Sequence, residues 1–151
     1  MTATAIDFAN LMLAALLAGA VFGAWLMMQP GGLDAATYVM QHQNGVRTLN
    51  GVMPPLGALT IVVTLAAAFL ARDDRARLIL LVAAAVCFLA VGRITRFCNQ
   101  PINAIVMKWA SDSPPATWTQ LRDEWWRWHS IRLVFSLIAL SLTIAATLRR
   151  A

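Results

Sequence analysis

The stretch from Arg122 to Leu137, RDEWWRWHSIRLVFSL, carries three tryptophans, a histidine and three arginines directly into an apolar run. On a continuous helix, Trp118, Arg122, Trp125, His129, Arg132 and Ser136 share a stripe roughly 80° wide, while Trp126 and Arg127 point elsewhere. A second stripe of similar width holds Arg93, Arg96, Gln100, Asn103 and Met107, with Asn99 alongside. If the two stripes face each other, Arg93, Arg96, Asn99, Asn103, His129 and Arg132 form one polar pocket. An arginine at the centre of a bilayer costs about 2.5 to 3.5 kcal/mol on translocon scales, so intramembrane charges normally face a cavity or the bundle interior. The competing reading is that each arginine near a helix end snorkels to the headgroups with no further role. His129, with an unperturbed pKa near 6.5, is a candidate for proton transfer.

The chain has two histidines, His42 and His129. Together they permit a bis-histidine haem with nearby arginines on the propionates, or a metal completed by Glu124 or Asp34, although no HxxxH or ExxH spacing supports a metal site. Tyr38, His42, Gly45 and Leu49 recur at helical spacing on one face, which makes Tyr38 and His42 candidates for contact with a bound molecule. Trp118 and Trp125 lie on the histidine stripe and could wall a flat substrate; Trp109 and Trp126 suit an interfacial aromatic belt. Cys87 and Cys98 lie eleven residues apart on one predicted helix, too far along a rigid rod to bridge, and read as apolar fillers.

These side chains need elements to hold them, and the composition says which. The 151 residues are 60% hydrophobic and 13% charged, far from the roughly 45–50% and 25% of soluble domains. Four apolar runs predict an all-α, integral membrane four-helix bundle forming a single domain, with spans at about residues 10–28, 52–71, 78–98 and 129–148. After the turn Pro30-Gly31-Gly32 an extra helical segment runs from Leu33 to Asn50 between spans one and two, and Pro54-Pro55 leaves little room for a loose connection to span two. Helices three and four extend beyond the apolar zone, with a kink expected at Pro101. The first run reads as a retained helix rather than a leader peptide, because no Lys or Arg precedes it and it runs on past Ala18-Gly19-Ala20.

Arg72, Arg75 and Arg77 in the short second connection place that loop and both termini in the cytoplasm, N-in and C-in, in a bacterial inner membrane. The net charge of +5 is accounted for by helix-end residues and anionic lipid, so nucleic acid is not an expected partner. Self-association into a homo-oligomer is left open.

Asn99-Gln100-Pro101-Ile102-Asn103, then Trp109 and Trp118, and the closing Trp125-x-x-Trp128-His129-x-x-Arg132 resemble a family of small four-helix membrane proteins that includes the anthrone oxygenases. Gln29-Pro30 and the segment from Tyr38 to Asn50 are similar more loosely. The resemblance implies a membrane-embedded fold and oxidation of a polycyclic phenolic anthrone by O₂ to a quinone, without flavin or haem. In that chemistry a base such as His129 removes a proton, and Arg93, Arg96 or Arg132 stabilises the oxyanion. Asn99 and Asn103 would orient the substrate's oxygens. The rival classes are a haem- or metal-bearing redox protein using His42 and His129, and a non-enzymatic lipid- or small-molecule-binding protein or accessory subunit.

Overall fold

The computed structural model describes residues 2–149, and among these every element is helical. α1 spans Thr2–Met27, α2 Ala35–Leu49, α3 Met53–Leu70 and α4 Arg75–Ile94; a π-helical turn at Thr95–Asn99 leads into α5, Gln100–Val106, and α6 runs Trp118–Leu148. α1, α3, the continuous α4–π–α5 rod and α6 are each long and apolar enough to cross a membrane. α1 begins well before the expected first span. Its first two turns include Asp7, which lies ahead of the expected span and is buried against Arg77.

Local chemistry sets the boundaries. Gly32 has a φ of +88°, a backbone state open to glycine without a Cβ penalty, and this turns the chain out of α1. Asp34 then caps α2 by accepting from the Thr37 amide at 2.9 Å and the Thr37 hydroxyl at 2.8 Å. Both prolines of Pro54-Pro55 sit in the first turn of α3, where a missing N–H costs nothing. Asp74 caps α4 through the amides of Ala76 and Arg77, both at 3.1 Å.

Small residues let the spans approach closely, as expected where lipid and helix faces are equally apolar. Ala67, Ala68, Ala71, Leu81 and Ala146 pack at the α3–α4 hairpin end, and Ala14, Leu17, Phe88 and Ala139 at mid-height. Phe8, Leu16, Val62, Phe69 and Val86 point outward, the pattern of a lipid-facing surface. Polar residues also enter this core. Asn10, Thr60, Thr64, Ser136 and Thr143 are buried, and the threonine and serine hydroxyls return to carbonyls three or four residues earlier on their own helices.

The opposite end is rich in tryptophan. Met28, Tyr38, Val39, Ile102, Val106 and Trp125 form its core, with Trp109 and Trp118 against it. α2 is not a surface helix. It packs on α5, and Gln43 donates to the carbonyls of Val106 at 3.0 Å and Trp109 at 2.9 Å.

The π turn changes which residues share a face. Pro101 has no N–H to return to its preceding turn, and the chain widens just before it, the Gln100 amide reaching Thr95 instead. One extra residue in the turn rotates everything after it by about 100°. The expected single stripe from Arg93 to Met107 is therefore broken. Asn99, Ile102, Asn103 and Val106 face the interior, while Arg93 and Arg96 stay on the exposed side.

Candidate functional site

Two hydrogen-bonded chains meet at the Trp125 ring. In the first, Trp125 Nε1–H donates to Asn103 Oδ1 at 2.8 Å, and His42 Nε2 lies 3.0 Å from the same oxygen. An amide oxygen only accepts, so His42 carries its proton on Nε2, and its Nδ1 accepts the Tyr38 hydroxyl at 3.2 Å. Asn99 Nδ2 adds a bond to the Trp125 carbonyl at 3.1 Å. In the second chain, His129 Nε2–H donates to the Val21 carbonyl at 3.0 Å. His129 Nδ1 then accepts from Arg132 Nε at 3.1 Å and from its NH2 at 2.7 Å. The remaining Arg132 nitrogen donates to Thr95 Oγ1 at 2.9 Å, and the Thr95 hydroxyl returns to Val91 at 2.8 Å. This ties α1, the π turn and α6 together around one guanidinium.

The indole of Trp125 lies between the two imidazoles. It stacks on His129 at 4.6 Å between ring centres and meets His42 edge-on at 5.2 Å. Trp118 continues the aromatic wall against Tyr38 at 5.4 Å. The pair does not suit a bis-histidine haem, because an indole fills the space between the rings and all four ring nitrogens are committed to protein groups. Among the described residues no group of three His, Cys, Asp or Glu side chains is placed to hold a metal; Asp34 is occupied as a cap and Glu124 is exposed.

Below this network lies a cavity of about 620 Å³, bounded by all the long helices and by α2. That volume is in the range of small-molecule sites. Most of its wall is apolar, including Leu17, Val21, Met28, Ile61, Phe88 and Val91. Its polar groups are His42, Asn50, Thr95, Arg96, Asn99, Gln100, Asn103 and Arg132. Two of these are underused. Among the described residues no carboxylate lies within ion-pair distance of Arg132, although its guanidinium is partly buried. Asn99 Oδ1 is buried and has no hydrogen-bond partner among the described residues; its orientation follows from the amide, since the NH₂ must face the Trp125 carbonyl.

The structure thus brings together Tyr38, His42, Asn99, Asn103, Trp118, Trp125, His129 and Arg132. Arg96 reaches the rim of the cavity, whereas Arg93 does not line it; both guanidiniums flank the exposed Phe97 ring, at 5.7 Å for Arg93 and 5.9 Å for Arg96. His129 is fully buried behind Arg132 and is not part of the cavity wall. The sequence reading missed Thr95, whose hydroxyl anchors Arg132. Its only signal was its place one turn before Asn99, on a face whose direction depends on the π turn.

Residues 43–142, two thirds of the chain, match the family described as Anthrone oxygenase. The chain belongs to the anthrone oxygenase family. The matched region contains Thr95, Asn99, Asn103, Trp118, Trp125, His129 and Arg132, and it begins just after His42. No curated protein and no solved structure matches the chain. For this anthrone oxygenase family member, the shared region supplies the arginine chain and the asparagines, while Tyr38, His42 and the α1 wall lie outside it.

Burial pushes the His42 imidazole down to about 4, against a smaller opposing effect of Asn103, and it raises the Tyr38 phenol. Both groups are neutral at pH 7. The unfolded chain's histidine titrates near 6.5, so between these values the unfolded state binds more protons than the folded one. The His42 contribution is therefore fully present above pH 6.5 and is lost as pH falls to about 4, amounting to about 3 kcal/mol. Thermal unfolding in detergent is expected to show a midpoint that drops from pH 7 to pH 4 in the wild type. The drop should be markedly smaller in His42→Gln.

Proposed function

We propose that this protein is a membrane-embedded oxygenase-type enzyme that oxidises a flat, apolar, phenolic polycycle of the anthrone kind with O₂. The observation that carries the reading is Arg132, a guanidinium with no carboxylate partner among the described residues, on the wall of a mostly apolar cavity. Such a charge is costly unless a bound molecule supplies or develops negative charge beside it. Family membership points to the same chemistry.

In this reading the anthrone lies in the cavity with its carbonyl oxygen toward Arg132 and a phenolic hydroxyl toward Asn99 Oδ1. Removal of a ring-methylene proton leaves an enolate whose oxyanion is held by the N–H groups that Arg132 does not spend on His129 and Thr95. The carbanion carbon adds O₂ to give a hydroperoxide, and loss of water from it leaves the quinone carbonyl. Arg96, at the rim, adds positive potential to the same pocket; Arg93 contributes only at longer range.

His129 acts chiefly as a positioning residue, because its Nδ1 fixes the guanidinium. It takes the methylene proton only if Arg132 shifts onto the enolate and frees that nitrogen. His42, which lines the cavity, is the alternative acceptor if Tyr38 releases its Nδ1. Asn103 holds His42 and Trp125 in place, and Trp125 with Trp118 and Tyr38 forms the aromatic end of the site. No cofactor enters this scheme. The protein sits in a bacterial inner membrane with both termini cytoplasmic, which puts the tryptophan-rich end on the outer side.

The test is oxygen uptake by the purified protein in lipid vesicles supplied with a hydroxylated anthrone. Uptake matched to quinone formation, and absent from empty vesicles, is the expected result. Tight binding of polycycles or lipid with no uptake above the empty-vesicle rate would replace the oxygenase reading with a binding protein.

A further inference from the structure

The cavity wall is closed on most sides and open on one. Among its lining residues, those that are themselves exposed are Asn50 at the end of α2, Pro54 and Ala58 at the start of α3, and Gly92 and Arg96 on the α4–π rod. The rest of the wall is buried or half-buried. Apart from Asn50, which ends α2, the exposed positions belong to two neighbouring helices, α3 and the α4–π rod, and mark one mouth between them. At the hairpin end α3 and α4 are sealed together by Ala67, Ala68, Ala71 and Leu81. At the other end a hydrogen bond from Gln100 to Asn50, at 2.8 Å, crosses between the same two sides.

The height of this mouth identifies what lies outside it. Gly92 is roughly 25 Å along the helix from Arg75 at the hairpin end, inside a hydrocarbon layer of about 30 Å. Ala58 sits more than a turn inside α3 from Met53. Around the mouth the neighbouring outward residues, Leu59, Val62 and Leu89, are apolar. A side chain added at Gly92 or Gly57 would meet nothing within 4 Å, so open space rather than packed protein adjoins both. A second, independent feature marks the space within as a ligand site, namely the unpartnered buried acceptor Asn99 Oδ1 on its wall.

We infer that the cavity opens sideways into the acyl-chain region between α3 and the α4–π rod, and that its ligand arrives dissolved in the bilayer rather than from water. The identity of that ligand, an uncharged polycycle, rests on the function proposed above; the route does not. Gly92, Ala58 and Gly57 keep the passage clear, Arg96 stands at its polar edge, and the Gln100–Asn50 bond bridges its top.

The experiment loads vesicles with 9,10-anthraquinone and follows quenching of tryptophan fluorescence after mixing with protein-bearing vesicles. Gly92→Phe, and independently Ala58→Phe, should slow the protein-dependent phase at least about tenfold without lowering the unfolding temperature. Val82→Phe, exposed on α4 nearer the hairpin end, should leave it unchanged. A Gly92→Phe protein that is quenched as fast as the wild type overturns the route. If the wild type binds no polycycle, the functional reading fails, and the route is then decided by thiol labelling in a background with Cys87 and Cys98 changed to alanine. Gly92→Cys shielded from a charged aqueous thiol reagent, beside a rapidly modified Asn50→Cys, sustains a lipid-facing mouth. Equal modification of both overturns it.

Discussion

Arg132→Met is expected to lower anthrone oxidation by about 10²- to 10³-fold, the range seen when one pre-aligned oxyanion donor is removed from a water-poor site. The substitution keeps the length and apolar stem of the side chain while removing the charge. It leaves His129 Nδ1 without its donor, and Thr95 Oγ1 loses the Arg132 bond. Unpaired acceptors cost about 1–3 kcal/mol each, but the uncompensated cation disappears at the same time, so the unfolding temperature should move little. Arg132→Lys separates charge from geometry. A lysine has no planar fork to engage His129 and Thr95 together, and the expected result is a protein that binds substrate yet turns over about tenfold or more slowly. The split between KM and kcat is the informative measurement. A loss confined to kcat places Arg132 on the transition state, and full activity in Arg132→Met would remove it from the mechanism.

Asp7→Ala is expected to be the most destabilising single change away from the cavity. Arg77 reaches both carboxylate oxygens of Asp7, at 3.1 and 3.0 Å, and its Nε donates to the Ala146 carbonyl near the end of α6 at 3.1 Å. The two side chains are only 10% and 12% exposed. Removing one partner of a buried pair leaves the other charge unpaired, at a cost of about 3–5 kcal/mol, whereas replacing both with apolar groups is often neutral. Asp7→Ala should therefore lower the unfolding temperature strongly, and Asp7→Ala combined with Arg77→Met should restore most of it. A double variant as unstable as the single one would mean that the Arg77–Ala146 bond, not the ion pair, secures this end. Oxygen uptake by whatever fraction remains folded should be unaffected, since the pair lies at the end of the bundle away from the site.

The four spans, the extra helix and the polar face of α6 were legible in the sequence because each depends on local composition and a single helical period. Trp118, Trp125, His129, Arg132 and Ser136 share a face for the simple reason that α6 is regular throughout. The same arithmetic failed across residues 93–107. A π turn ahead of Pro101 shifts the phase: uniform spacing predicts Arg93 in the pocket, whereas the structure turns it toward Phe97 and brings Thr95 to Arg132 instead. Periodicity also carries no information about partners on other helices. Composition places Asp7 outside the first span, whereas its partner seventy positions away in the chain makes it an interior residue. Only the tertiary structure decided that both nitrogens of each histidine are committed, that Trp125 separates the two rings, and that the cavity meets Arg132 rather than His129. Composition and spacing determine which side chains a helix can present. Which hydrogen bonds those side chains complete, and which remain for a ligand, depends on distances between helices that no local pattern encodes.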